Sequence, residues 1–169
     1  MINKYTLIIG GLALLAILYA TTPPFLEANA ETSFKVKDGD SFYLGGNEIR
    51  LWGIDAPEFF QKCDDGTGAE YSCGRKSKDF LQSLLATGDI SCEPMARAKR
   101  ETRTVAKCFI DGQDIAQIML RQGMAVEYDY FSKNFYDKFE QEAKNSKRGI
   151  WAGRFTNPRD WRKKSRKNR

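Results

Sequence analysis

Polar and hydrophobic residues alternate along the part of the chain that follows residue 32, and this period of two predicts strands with one buried face. Three successive runs have this pattern: Ser33–Lys37, Ser41–Leu44 and Glu48–Ile54. Asp38-Gly39-Asp40 separates the first two runs, and Gly45-Gly46-Asn47 predicts a tight hairpin turn before the third. Pro57 ends the third strand, because proline has no N–H to donate to a neighbouring strand. The three strands should therefore run antiparallel.

Farther along the chain the hydrophobic residues recur every three or four positions, a spacing that predicts helices. Three are predicted: Arg75–Ala86, a helix that Asp114 caps and Gly123 ends, and Phe131–Lys147. Two further strand-like runs, Ile90–Glu93 and Thr104–Ile110, lie between the first two helices. Antiparallel strands followed by helices with interleaved strands indicate an α+β fold with a mainly β core. We specifically expect a five-stranded OB-type barrel with about three α-helices to one side.

The first 30 residues have the pattern of an export signal. Lys4 precedes an apolar run from Leu7 to Ala20, and Ala28-Asn29-Ala30 offers a cleavage pattern of small residues. We expect a signal peptide at residues 1–30, or alternatively an uncleaved anchor, because Tyr5–Leu26 carries no charge and could just span a bilayer. In both cases the body at residues 33–153 lies outside the cytoplasm, secreted, periplasmic or at the cell envelope.

The chain contains four cysteines and no histidine. The lack of histidine excludes Ser-His-Asp and Cys-His hydrolysis. An even number of cysteines in an exported chain favours disulfides over a zinc site, which normally has a C-x2-C pair. Of the three pairings, we predict Cys63 with Cys73, which bracket a loop rich in Asp and Gly. Cys92 and Cys108, in successive strand-like runs, then form the other pair.

Basic residues are concentrated at the C-terminal end. Residues 154–169 contain eight Lys or Arg and one Asp, whereas the remaining 19 basic residues face 21 acidic ones. This segment therefore accounts for the net charge of +5. We interpret it as a basic tail that either attracts polyanions or is simply a solvated end.

Residues 36–58 gather the side chains with the clearest chemistry. Four carboxylates and one arginine could take part in binding a cation or a phosphate: Asp38, Asp40, Arg50, Asp55 and Glu58. A hard dication held by carboxylates, with arginine beside it, could neutralise the charge that develops when a phosphodiester is hydrolysed. Asp38 is better interpreted as forming the turn at Gly39. The segment therefore predicts a metal-dependent phosphodiesterase.

Four motifs occur in order along the chain: DGDS at Asp38–Ser41, RLWGIDAPE at Arg50–Glu58, Arg103 before a hydrophobic strand, and LRQGMA at Leu120–Ala125. With GIW at Gly149–Trp151, they resemble the staphylococcal nuclease (thermonuclease) family over residues 34–151. The four cysteines resemble its exported bacterial branch. The resemblance implies an OB-fold endonuclease that uses Ca²⁺ to cleave DNA and RNA without strong sequence preference and leaves 3′-phosphates.

The same resemblance implies roles for individual residues. Asp40 and Asp55 would bind the calcium ion through their carboxylates, and Ala56 would bind it through its carbonyl. Glu58 would orient or deprotonate the attacking water. Arg50 and Arg103 would be the two arginines that bind the phosphate. We expect the enzyme to act as a monomer on DNA and RNA, with membrane association through the N-terminal segment as an added possibility.

Substrate contacts outside this centre are less sharply defined. Tyr128 either stacks on a base, as tyrosines do at this place in similar enzymes, or packs at the barrel edge. We assign Arg100 to a basic substrate track. The family pattern Asp-x-Tyr-Gly-Arg before the second arginine is replaced here, with Glu101 and Thr102 in place of tyrosine and glycine. The alternatives to an enzyme are a catalytically silent nucleic-acid-binding OB module and a cell-envelope interaction protein.

Overall fold

The computed structural model describes residues 26–27, 33–95 and 103–167. Over these residues the chain has a mixed α+β fold, as the sequence predicts. The described strands are β1 Leu26–Glu27, β2 Phe34–Asp38, β3 Ser41–Leu44, β4 Asn47–Leu51, β5 Ile54–Asp55, β6 Cys63–Asp64, β7 Glu70–Tyr71, β8 Ile90–Pro94, β9 Thr104–Ile110, β10 Gln113–Asp114 and β11 Val126–Glu127. The described helices are α1 Cys73–Leu85, α2 Ile115–Arg121, α3 Asp129–Ser132, α4 Asp137–Asn145, a 3₁₀ turn at Gly149–Ala152, and α5 Pro158–Lys167.

The main sheet of the described chain has the order β1-β8-β9-β4-β3-β2, and β10 adds to β9. Strands β2, β3 and β4 are antiparallel neighbours, as the hairpin signals predict. Gly45 and Gly46 form the turn with φ of 54° and 83°, which side chains would disfavour. The pairing of β4 with β9 is parallel, so the two strands start at the same edge of the sheet.

The core lies between this sheet and helices α1 and α2. It is built from side chains that are almost completely buried: Phe42, Ile49 and Leu51 of the sheet, Leu81 and Leu85 of α1, and Ile115, Met119 and Leu120 of α2. Asp114 caps α2 as predicted, because its carboxylate accepts hydrogen bonds from the amides of Ala116 (2.8 Å) and Gln117 (3.3 Å). The packed sheet gives the loops at its edge a rigid base.

Both predicted disulfides are present. Cys63–Cys73 joins β6 to the first residue of α1, which begins two residues earlier than the hydrophobic spacing indicates. Cys92–Cys108 joins residues that lie opposite each other in the paired strands β8 and β9. Bridges of this kind stabilise a fold mainly by restricting the unfolded chain.

The predicted helix Phe131–Lys147 is wrong, because the structure divides this segment into α3 and α4. Lys133 and Asn134 have φ of 54° and 64°, so the backbone turns into the left-handed region and ends α3 there. Tyr136 is then fully buried between the helices, where its hydroxyl donates to Asp114 over 2.7 Å. The anchoring of the Tyr136 ring accounts for the break between α3 and α4, which the hydrophobic spacing does not predict.

The sequence makes a prediction for each end of the chain, and the structure describes only the C-terminal one in detail. The predicted signal peptide or anchor lies outside the described residues, apart from Leu26–Glu27. None of the helices in the described part is long and apolar enough to cross a membrane. At the other end, most of the predicted basic tail forms α5, which starts with the buried Pro158. This helix reaches the side chains of Asp55 and Glu58.

Candidate active site

Two carboxylates are buried side by side at one edge of the sheet. Asp40 follows the irregular end of β2, and Asp55 ends the short strand β5; their exposed fractions are 3% and 2%. The amide of Leu51 donates to the carbonyl of Asp40 over 2.9 Å, and the amide of Ala56 donates to its carboxylate over 3.2 Å. Backbone contacts therefore hold Asp40 beside Asp55, although buried charges of equal sign repel each other.

Arg50 bridges this pair. It projects from β4 opposite Ser41, and its Nη2 lies 3.0 Å from Oδ2 of Asp40 and 3.1 Å from Oδ1 of Asp55. Its Nη1 also donates to Oδ1 of Asp40 over 3.2 Å. Since both carboxylates approach one nitrogen atom, their oxygens converge on a common point. The structure thus brings together three of the residues that the sequence singles out.

Arg162 is a further member of the cluster that the sequence did not identify. Its Nη1 and Nη2 each donate to one oxygen of Asp55 over 2.8 Å, and Nη1 also donates to Oε1 of Glu58 over 2.9 Å. It comes from α5, in the segment interpreted only as a basic tail. The sequence does contain a helix-start signal, since Asn157 precedes Pro158 at the first helical position, but the inward direction of Arg162 is not readable from it.

Glu58 lies at the rim, with 34% of its side chain exposed. Its position depends on Gln61, which is fully buried: the Gln61 side-chain oxygen accepts from the Glu58 amide (3.3 Å), and the Gln61 amide donates to the Glu58 carbonyl (2.7 Å). Gln61 also donates through Nε2 to the carbonyl of Thr156 over 2.6 Å. One buried amide side chain therefore ties both Glu58 and the start of the C-terminal segment to the site.

Electrostatics at the site follow from this burial. Burial lowers the pKa of Arg162, but hydrogen bonds to Asp55 and Glu58 raise it, and the net pKa is above the usual value. Burial raises the pKa of Asp38 to about 7, and the neighbouring Asp40 carboxylate adds to the effect. The Asp38 side chain accepts a hydrogen bond from the amide of Asp40 over 3.2 Å, which agrees with its role in the turn.

Three of the other predicted residues lie in the described chain, Ala56, Arg103 and Tyr128, and Arg100 lies outside it. Ala56 is buried directly after Asp55. Arg103 immediately precedes β9, two residues before Val105, which pairs with Arg50. Tyr128 follows β11, and its ring packs edge-on against Phe131 with centroids 5.0 Å apart. Arg100, Glu101 and Thr102 are outside the described residues.

The donor set fits a hard divalent cation. Among the described residues no cluster of three or more Asp, Glu, Cys or His residues forms a metal centre. The protein nevertheless offers two convergent carboxylates, Asp40 and Asp55, and oxygen ligands from backbone and water commonly complete such sites. The convergence on a cationic nitrogen of Arg50 shows that positive charge is stabilised at this point.

Residues 48–153 match the family model described as staphylococcal nuclease homologue. The chain belongs to this family. It is 38% identical over 118 residues to the succinoglycan biosynthesis protein ExoI of Rhizobium meliloti, covering 69% of this chain and 61% of that protein. It is 29% identical over 175 residues to an uncharacterized endonuclease of Haemophilus influenzae, covering 99% and 90% of the two chains. An uncharacterized endonuclease of Escherichia coli is 31% identical over 124 residues, covering 70% of this chain and 74% of that protein.

These comparisons confirm the predicted family. The match includes Arg50, Asp55, Glu58 and Arg103, whereas Arg162 lies beyond its end. Asp40 lies before the start of the match, so both Asp40 and Arg162 are outside the residues that the family model covers.

Proposed function

We propose that the protein is an exported endonuclease that uses Ca²⁺ to hydrolyse phosphodiester bonds of DNA and RNA without strong sequence preference, leaving 3′-phosphates. The observation that carries this proposal is the convergence of Asp40 and Asp55 on Arg50, with Glu58 at the rim of the same cluster. Membership of the staphylococcal nuclease homologue family supports it, as do the relatives named endonucleases.

In this proposal Asp40 and Asp55 would hold the cation with their carboxylates, and Ala56 would contribute its carbonyl. A bound Ca²⁺ would supply Lewis-acid stabilisation of the charge on the phosphoryl oxygens. Arg50 adds a planar guanidinium next to the same position, and Arg103 provides a second one from the start of β9. Glu58, with a third of its side chain exposed, orients or deprotonates the attacking water.

Two features of the fold support the finer parts of the proposal. We infer that the five longer strands, β2, β3, β4, β8 and β9, correspond to an OB-type barrel, because their order and single parallel pair suit that architecture. The two disulfides favour an oxidising compartment outside the cytoplasm, secreted, periplasmic or membrane-anchored. Tyr128 and Arg100 are proposed to contact the substrate chain.

Cleavage assays test the cation requirement directly. We expect the protein to degrade DNA and RNA with added Ca²⁺ and to lose this activity when a chelator replaces it, because the cation would supply the Lewis-acid stabilisation of charge on the phosphoryl oxygens. Analysis of the product ends should show 3′-phosphates. Failure to cleave either nucleic acid with any divalent cation would refute the enzyme, and cleavage in chelator would refute the metal requirement.

Gly74 gives a test of how Glu58 is positioned. It lies in the first turn of α1, where an added Cβ would overlap the carbonyl of Glu58. Gly74→Ala should therefore displace the Glu58 backbone, lower the free energy of unfolding by about 1–3 kcal/mol and reduce the cleavage rate. Urea unfolding and a steady-state assay measure the two effects.

Gly66→Ala is the matched control for Gly74. It lies in the neighbouring loop that the Cys63–Cys73 disulfide closes, and its Cβ would meet the Ala152 carbonyl at an ordinary 3.4 Å. This variant should keep both stability and rate. Equal behaviour of the two variants would contradict the assigned role of the contact between α1 and Glu58.

A further inference from the structure

Arg162 pairs with Asp55, one of the two carboxylates proposed to hold the cation. Both oxygens of Asp55 accept hydrogen bonds from its guanidinium over 2.8 Å, and Oδ1 also accepts from Arg50 over 3.1 Å. A carboxylate has about four lone-pair positions in all, so three of those on Asp55 are already taken. A divalent cation must compete with a charged, bidentate partner at this residue.

The helix that carries Arg162 is fixed to the body rather than loosely attached. Arg154 pairs with the side chain of Asp64 over 2.9 Å, and its carbonyl accepts from the Asp64 amide over 2.8 Å. The Thr156 carbonyl accepts from buried Gln61, and Pro158 is buried at the start of α5. These contacts bring α5 to the site at a defined position, so the approach of Arg162 is built into the fold.

The rest of α5 behaves differently from Arg162. Its other basic side chains are exposed: Arg159, Lys163, Lys164, Arg166 and Lys167. Only 26% of the Arg162 side chain is exposed. The contact with Asp55 and Glu58 is therefore made by one inward-facing residue, Arg162, and does not come from a general attraction of the basic helix to acidic side chains.

We infer that Arg162 is a built-in competitor of the divalent cation for Asp55, supplied by the C-terminal helix α5, which follows the residues matched by the family model. The inference rests on the cation site of the proposed function. Binding of the cation requires Arg162 to release Asp55, and release of Arg162 in turn raises the affinity for the cation, because the two effects are linked thermodynamically. Arg162 thereby sets the concentration of divalent cation at which the site fills.

Calcium titration calorimetry on the full chain, without nucleic acid, tests this inference. Arg162→Gln removes the charge and the bidentate hydrogen bonds, and we expect it to bind Ca²⁺ at least about tenfold more tightly than the unaltered protein. Arg166→Gln makes the same charge change at an exposed position of the same helix. It should alter the affinity less than about twofold, because exposed charges are screened by solvent and salt.

A third variant separates competition from a positioning role. Arg162→Lys keeps the charge but loses the planar fork, so its affinity for Ca²⁺ should fall between those of the unaltered protein and Arg162→Gln. If Arg162 instead positions Asp55 and Glu58 for the cation, Arg162→Gln will bind Ca²⁺ equally or more weakly, and the inference is overturned. Circular dichroism and thermal unfolding of each variant establish that it is folded.

These measurements distinguish failure of the competitor inference from failure of the proposed nuclease function. Nucleic-acid cleavage by the unaltered protein in Ca²⁺, combined with unchanged Ca²⁺ affinity in Arg162→Gln, would overturn the competitor alone. Absence of Ca²⁺ binding in every variant would overturn the competitor and the calcium site together. The chelator assay then decides whether cleavage occurs without a metal.

Discussion

Replacing Arg50 by alanine is expected to abolish cleavage and, without a divalent cation, to lower the free energy of unfolding by about 3 kcal/mol. Arg50 is the shared partner of two buried carboxylates. Asp55 would keep Arg162, so the loss falls mainly on Asp40, which would still accept hydrogen bonds from the Ser41 hydroxyl at 2.8 Å and the Ala56 amide at 3.2 Å. Because these donors remain, we expect a loss of unfolding free energy at the lower end of the range for breaking a buried ion pair.

The same variant should respond to Ca²⁺ in a characteristic way. A cation bound by Asp40 and Asp55 would replace the missing positive charge, so urea unfolding with saturating Ca²⁺ should recover part of the lost stability. Cleavage should nevertheless stay at least about 10²-fold below normal, because a preorganised donor to the transition state is gone. Recovery of stability without recovery of rate would separate the two roles of Arg50.

Lys37→Ala is the control for Arg50→Ala. Lys37 also projects from a strand and pairs with a carboxylate, Glu48, at 2.6 Å, but about half of its side chain is exposed. Its removal should cost no more than about 1 kcal/mol and should leave cleavage unchanged. If Arg50→Ala were as stable as Lys37→Ala without Ca²⁺, the carboxylates would not depend on Arg50 as described.

The parts of the fold that the sequence predicts correctly are those with local signals. The hairpin from β3 to β4 follows from two successive glycines, both of which have positive φ in the structure. The cap at Asp114 follows from a carboxylate directly before an apolar helix. The pairing of Cys92 with Cys108 follows because successive strands tend to be neighbours, and these residues are opposite each other in β8 and β9.

The parts that the sequence does not predict depend on contacts between distant segments. Arg162 reaches Asp55 across 107 residues, and Gln61 joins Thr156 across 95, so no spacing pattern reveals either contact. The break between α3 and α4 is set by the burial of Tyr136 against Asp114, which outweighs the helical spacing of the segment. Asp40, Arg50 and Asp55, by contrast, lie within one short stretch of chain, and the hairpin of β3 and β4 brings Arg50 opposite Ser41, next to Asp40.

Glu58→Gln is expected to lower the rate constant for cleavage by about 10²–10⁴-fold, the usual contribution of a general base. Glutamine has the same shape, and its carbonyl oxygen can still accept the hydrogen bond from Nη1 of Arg162. It cannot accept a proton from water, so only the chemical step should suffer. Because a third of the Glu58 side chain is exposed, its neutralisation should change stability little.

Binding and rate must be measured separately to establish this role. The dissociation constant for a DNA oligonucleotide in Ca²⁺ should change less than about threefold, since Glu58 is not a predicted phosphate ligand, while single-turnover cleavage reports the loss of rate. Glu70→Gln is the matched control, because Glu70 lies in the nearby disulfide loop, is largely exposed, and lies 3.9 Å from Lys62. A near-normal single-turnover rate for Glu58→Gln would remove Glu58 from the reaction and leave the attacking water to be activated at the cation site.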